Sequence, residues 1–109
     1  MATYKKILGQ SKPAATTVTT AYTVPVGKQC VISSLVMCNT SVSNDDFRVY
    51  IVPSAGSASV SNAFYYDLAL TSKDTFIATV GITLNAGDTV QVYSTGGNVT
   101  FNIFGQEND

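Results

Sequence analysis

The sequence contains no histidine and no tryptophan, and only two of its 109 residues are cysteine. Without His, neither a Ser/His/Asp triad nor a Cys/His pair is possible within the chain. Zinc sites built on His or on four Cys are excluded as well. Charge is sparse too: Asp, Glu, Lys and Arg make up 12% of the residues, and the formal net charge is −1. Lys5-Lys6 is the only adjacent cationic pair. Nucleic-acid binding needs a clustered basic footprint, which this composition does not supply. No apolar run approaches the length of a membrane span. Ile7 and Leu8 alone follow Lys5-Lys6 before Gly9, so no signal-peptide core is expected. The sequence therefore predicts a non-enzymatic protein that binds no cofactor, nucleic acid or membrane.

What is present is β pattern. Hydrophobic residues make up 45% of the chain, arranged in short alternating runs rather than helical stripes. The longest run is Lys28 to Asn39. Cys30, Ile32, Val36 and Cys38 share one parity, and Val31, Leu35 and Met37 the other. Apolar residues on both faces suit a central strand. Cys30 and Cys38 would stand roughly 26 Å apart on one extended strand, far beyond disulfide reach. They read as small buried hydrophobes.

Strand patterns recur along the chain. Thr16–Val24 alternates, with Val18, Tyr22 and Val24 on one face, and Pro25-Val26-Gly27 makes a turn. Its two flanking strands are expected to be connected neighbours. Phe47, Val49 and Ile51 point to the core, with Arg48, Tyr50 and Val52 opposite. In 62–70, Phe64, Tyr66, Leu68 and Leu70 oppose Tyr65, Asp67 and Ala69. Phe76, Ala78 and Val80 alternate with Thr75, Ile77 and Thr79. Val90 and Val92, then Val99, Phe101 and Ile103, supply the last inward faces. About eight short strands separated by turns predict an all-β fold, an antiparallel β-sandwich of jelly-roll type. Residues 1–13 read as an N-terminal arm or edge strand, 14–105 as a single sandwich domain, and 106–109 as a polar tail.

Candidate chemistry is thin. The carboxylates are Asp45, Asp46, Asp67, Asp74, Asp88, Glu107 and Asp109. Most fall in turns, where Asp bonds the local backbone. Asn44-Asp45-Asp46 has oxygens suited to Ca²⁺ but reads better as a solvated loop tip. No catalytic or metal-ligating residue is assigned. Tyrosine is the most frequent aromatic, with six residues. One ring of Tyr65-Tyr66 should face the core and the other outward. An exposed Tyr stacks on a sugar or anchors an interface.

The segments Tyr22-Thr-Val-Pro-Val-Gly27, Ser33-Ser-Leu-Val-Met-Cys-Asn39, Ile82-Thr-Leu-Asn-Ala-Gly-Asp-Thr-Val90 and Val99-Thr-Phe-Asn-Ile-Phe-Gly105 resemble small virion structural proteins of tailed bacteriophages, notably cyanophages. The resemblance runs from Leu8 to Gly105. It implies a homotrimer that decorates or cements the capsid, with the major capsid protein as partner. It also admits a neck or tail protein as partner, or a fibre tip that binds a receptor or glycan through loops 40–46 and 54–61. The implied location is the virion, after synthesis in the host cytoplasm. More weakly, Leu84, Gly87-Asp88, Val90, Val92, Phe101 and Phe104 are similar to the closing strands of trimeric complement and tumour-necrosis-factor jelly rolls. Tyr50, Tyr65, Tyr66 and Phe104 are the residues expected at a subunit contact.

Overall fold

A computed structural model describes residues 3–109. Met1 and Ala2, part of the expected N-terminal segment, lie outside the described residues. The strands are β1 (Thr3–Ser11), β2 (Thr19–Thr23), β3 (Gln29–Asn39), β4 (Asp45–Val52), β5 (Ala63–Leu70), β6 (Thr75–Asn85), β7 (Thr89–Ser94) and β8 (Val99–Asn108). A single 3-10 turn, Val60–Asn62, precedes β5. Two four-stranded antiparallel sheets form. Sheet I has the order β1-β8-β3-β6 and sheet II the order β2-β7-β4-β5.

This order is that of one long hairpin rolled up. β4 pairs with β5, β3 with β6, β2 with β7 and β1 with β8. The pairings of β3 with β8 and β4 with β7 then close the two sheets. The result is a jelly roll, as the strand spacing predicts. The pairing of β2 with β3 expected from the short turn at Pro25 does not occur. Val24 N donates to Asp88 O, and Gly87 N donates to Val24 O. These bonds hold the start of the turn against the β6–β7 turn, so the chain arches from sheet II into sheet I.

The core lies between the sheets. Phe47, at its centre, is fully buried and packs edge-on against Phe101 and Tyr65, with ring centroids 6.0 and 5.9 Å away. Ile32, Leu35, Met37, Val49, Val90, Val92, Val99 and Ile103 surround it, with Tyr22, Val24, Cys30, Leu70, Ala78 and Leu84 extending the cluster.

Several simple alternations fail at bulges. In β3 the register shifts between Ile32 and Ser34 on both sides. Cys30 and Ile32 face the core; past the shift Leu35, Met37 and Asn39 do. Val36 and Cys38 are thereby turned outward, away from Cys30. In β5, Phe47 pairs with Leu68 but Val49 with Tyr65, so β5 carries an extra residue. Asp67 takes a φ of 52° there, a left-handed conformation that Asp tolerates better than most residues. Leu68 and Leu70 therefore share the inner face with Tyr65, and not with Phe64 and Tyr66 as strict alternation predicts.

The shifts in sheet I form a line across all four strands. Relative to β8, one extra residue enters at Leu8 of β1 and one at Ser33 of β3. A further one enters at Val80–Gly81 of β6. Outer strands with more residues bend the sheet about β8. Glycine is required at two points of this line, Gly105 and Gly9. A Cβ on Gly105 would meet the Val31 carbonyl oxygen and lie 2.9 Å from Ile32 Cα, and one on Gly9 would meet the Ala21 carbonyl oxygen. Ser33 Oγ donates to the Phe104 carbonyl at 3.2 Å, satisfying a group beside the shift.

The expected polar tail is mostly strand. β8 continues to Asn108, paired with β1 on one side and β3 on the other. Glu107 is buried. β1 is an edge strand of sheet I.

Candidate functional site

The four residues expected at a subunit contact do not converge. Tyr50 is 4% exposed. It sits on the outer side of β4, beside the 3-10 turn that packs on that strand, and leaves almost no surface for a partner. Tyr65 faces the core, 5.5 Å edge-on to Phe76. Tyr66 is 48% exposed on the outer face of sheet II. Phe104 is half-buried on the outer face of sheet I, paired with Ile7 on β1 and Ser34 on β3. Tyr66 and Phe104 are thus on opposite sides of the sandwich.

The outer face of sheet II carries a preorganised cluster. Arg48 Nε donates to Asp67 Oδ1 at 2.6 Å and Nη2 donates to Oδ2 at 3.3 Å. Nη1 donates to Tyr50 Oη at 3.3 Å. The guanidinium lies 4.2 Å from the Tyr66 ring centroid and 4.3 Å from that of Tyr93. Cation–π contacts at exposed sites are worth about 0.5–1 kcal/mol each. The Asp67 bulge matters here, because it turns the carboxylate toward Arg48. The cluster has the Tyr/Arg character of interface anchors. Sequence parity located Tyr66; Arg48 and Tyr93 were not singled out, although Arg48 is the one arginine of the chain.

The outer face of sheet I is of another kind. Ile7 and Phe104 pair across β1 and β8, and Val36 and Ile77 pair across β3 and β6. Ser34, Thr79, Thr100 and Asn102 lie among them. Ile7 is 54% exposed and Ile77 65%. This face is apolar and hydroxyl-rich, with Lys5 at its margin.

Between β1, β2 and β8 lies a buried polar group. Glu107 Oε1 accepts from Lys6 Nζ at 2.8 Å, and Oε2 accepts from Tyr22 Oη at 2.5 Å. Burial pushes the Glu107 carboxyl upward, but the Lys6 and Tyr22 hydrogen bonds outweigh it and hold the group below the usual carboxylate range. Burial, then the Glu107 bond, raises the Tyr22 phenol. Burial raises the Cys30 thiol. The arrangement fastens the edge strand β1 to both sheets. Sequence reading assigned Glu107 to the tail, and a lone Glu among polar residues gave no contrary signal.

Asp109 pairs with Lys28 Nζ at 3.5 Å, and Asp45, Asp46 and Asp88 hold turns. Asp45 accepts from Gly96 N at 2.8 Å and Asn98 N at 3.2 Å, and Asp46 from Thr95 Oγ1. Asp88 accepts from Ser54 N and Asn85 N, each at 2.9 Å. Among the described residues no group of three or more His, Cys, Asp or Glu could hold a metal ion. No helix of the described residues is long and apolar enough to cross a membrane. The two loops of the receptor-binding alternative also lie apart. Loop 40–44 is tied to Asn98 and Ser72 at one end of the sandwich. Segment 53–62 is tied to Asp88 at the other.

No family model matches the chain, and no curated protein matches it. Among solved structures it is similar to a chain in the structure of infectious bursal disease virus, Gx strain. The TM-score is 0.55 and the identity 12%, over 97% of this chain and 31% of that one. A chain in the structure of the Gt strain aligns with a TM-score of 0.44 and 10% identity, over 97% and 28%. The first likeness shows a shared fold. This chain spans less than a third of the length of either match.

Proposed function

We propose that this protein is a structural component of a virus particle, a non-catalytic jelly roll that decorates or cements a phage capsid. The observation that carries the reading is the eight-stranded roll, which aligns over 97% of its length with part of a chain in a virus structure. Fold analogy alone is a weak guide to function. It is joined here by two outer faces with candidate anchors: exposed Ile7 and Ile77 beside half-buried Phe104 on one, exposed Tyr66 over partly buried Arg48 on the other. One face serves contacts between copies in a homotrimer, and the other meets the major capsid protein. Quantitative mass spectrometry of purified particles tests this. The protein is expected in fixed stoichiometric multiples of the major capsid protein; its absence from the particles overturns the proposal. A solution mass that is a multiple of three 11.5 kDa chains by light scattering is the expected result for the trimer.

The Arg48 cluster favours a second reading, a neck, tail or fibre-tip component that binds a receptor or glycan. Tyr66 offers a half-exposed ring held rigid from beneath by Arg48. A glycan array without signal at high protein concentration removes this reading and leaves the first intact.

A further inference from the structure

Four strands lie at sheet edges, and they differ in how their free backbone groups are guarded. Edge strands avoid pairing with other chains through charge, shortness, bulges or cover. β1 carries Lys5 and Lys6 and is broken by the extra residue at Leu8. β2 has five residues and a register shift between Thr20 and Tyr22. β5 has two shifts and the left-handed Asp67. β6 differs from all three. From Thr75 to Thr79 it pairs residue for residue with β3, Cys38 opposite Thr75 through Ser34 opposite Thr79. No charged residue and no proline occurs in the strand. Its other side pairs with no strand of the sheet.

We propose that this edge docks a second copy of the chain, with β6 adding antiparallel to β6 about a two-fold axis through Ile77. Three observations select a second copy over some other extended strand. The first is symmetry. Thr75-Phe76-Ile77-Ala78-Thr79 reads Thr, apolar, Ile, apolar, Thr in both directions. The axis sets Thr75 against Thr79 of the copy, the large Phe76 against the small Ala78, and Ile77 against itself. Such a patch is self-complementary, as an isologous contact requires, and Thr–Thr pairs across strands are favourable.

The second observation is charge. Identical strands that pair antiparallel about a two-fold axis bring like charges together, as Lys5 and Lys6 would on β1. β6 has none to oppose. The third is burial. Val36 lies opposite Ile77 on the outer face, so pairing builds a continuous row Val36–Ile77–Ile77–Val36 and covers a side chain that is 65% exposed in one copy. Main-chain bonds supply the attraction, as in other strand additions. The five-residue contact ends at the Thr71–Asp74 turn on one side and at the Val80–Gly81 shift on the other. The product is an eight-stranded sheet with both outer faces free, and it does not depend on the virion reading.

The test is the solution mass of wild type and of Ile77→Lys by light scattering, with far-UV circular dichroism and Tm as controls of folding. The wild type is expected at an even multiple of 11.5 kDa. Ile77→Lys should halve that mass, keep its spectrum, and lose the concentration dependence of Tm that the dimer gives the wild type. In a Cys38→Ser background, Ile77→Cys should give a covalent dimer under mild oxidation, since opposed antiparallel residues lie within disulfide reach. Thr83→Cys in the same background, beyond the shift, should not. A monomeric wild type, a mass unchanged by Ile77→Lys, or no covalent dimer from Ile77→Cys overturns the proposal. Three chains unchanged by Ile77→Lys would overturn the edge contact yet support the trimer; two chains, halved by the substitution, would do the reverse.

Discussion

The two sheets share one core but expose opposite kinds of outer surface. Sheet II presents Arg48 between Tyr66 and Tyr93, locked by Asp67, and part of it is covered by segment 53–62. Sheet I presents aliphatic and hydroxyl side chains and is bent along a line of inserted residues. Sheet II thus fixes its surface by side-chain bonds, and sheet I by backbone geometry. The difference teaches where each sheet should be sensitive: sheet II at a cation, sheet I at a glycine and at the buried carboxylate that pins its edge.

The severest test removes what the sheets have in common. Phe47→Ala should cost about 3–5 kcal/mol, as large aromatic truncations in a core do. Denaturant unfolding should show Tyr fluorescence and far-UV signals falling together. A loss confined to one sheet would mean that the halves are not one cooperative unit.

Next, Gly105→Ala should cost about 2–3 kcal/mol, because the added methyl meets backbone rather than a movable side chain. The change should be felt in sheet I. Hydrogen exchange is expected to rise in β1, β3 and β8 before β4 and β5. Equal effects in both sheets would deny the bend its separate role.

Lys6→Met should cost about 2 kcal/mol, since it leaves a buried carboxylate with one partner fewer. The same site sets an acid limb. The Glu107 carboxyl is held below its unfolded value, so its contribution is complete above about pH 4.3 and fades as pH falls through the folded value. The unfolding midpoint of the wild type should drop as pH falls below about 4.3. Glu107→Gln should begin less stable at pH 7 and show a flatter profile below that pH. An unchanged slope would place the acid sensitivity elsewhere.

The smallest effect belongs to sheet II. Arg48→Lys should cost about 1 kcal/mol, because an ammonium cannot span both Asp67 oxygens and stack on two rings. High salt should shrink the difference. A larger loss that persists in salt would show the cluster to be part of the core.

How much of this was legible in the sequence depends on the element. Strand positions were, because turn residues and alternation mark them; Gln29–Asn39 begins one residue after the expected run from Lys28 and ends with it. Facing was legible only up to each bulge. Leu35 and Val36 exchanged sides because Ser33 takes up a residue of register, and a small polar residue in a strand does not announce that. Leu68 changed sides for the same reason at Asp67. Pairing was the least legible. Pro25-Val26-Gly27 looks like a hairpin turn, and only the distant Asp88 carbonyl makes it an arch. The aromatics expected at a contact were judged by parity alone, which cannot tell that the chain after Val52 folds back beside Tyr50.

Thr3 stands opposite Asn108, and Thr3 Oγ1 donates to Asn108 Oδ1 at 2.9 Å. The first and last described strands therefore start and finish side by side, at one corner of the roll. A load applied between these two points would act across the β1–β8 ladder and open it like a zipper, one bond at a time. Drawn instead from Thr3 and from the 40–44 loop at the far end, the same ladder would be sheared along its length, with many bonds resisting at once. The roll is thus built to yield easily in one direction and to hold in the other, and the direction of pull decides which.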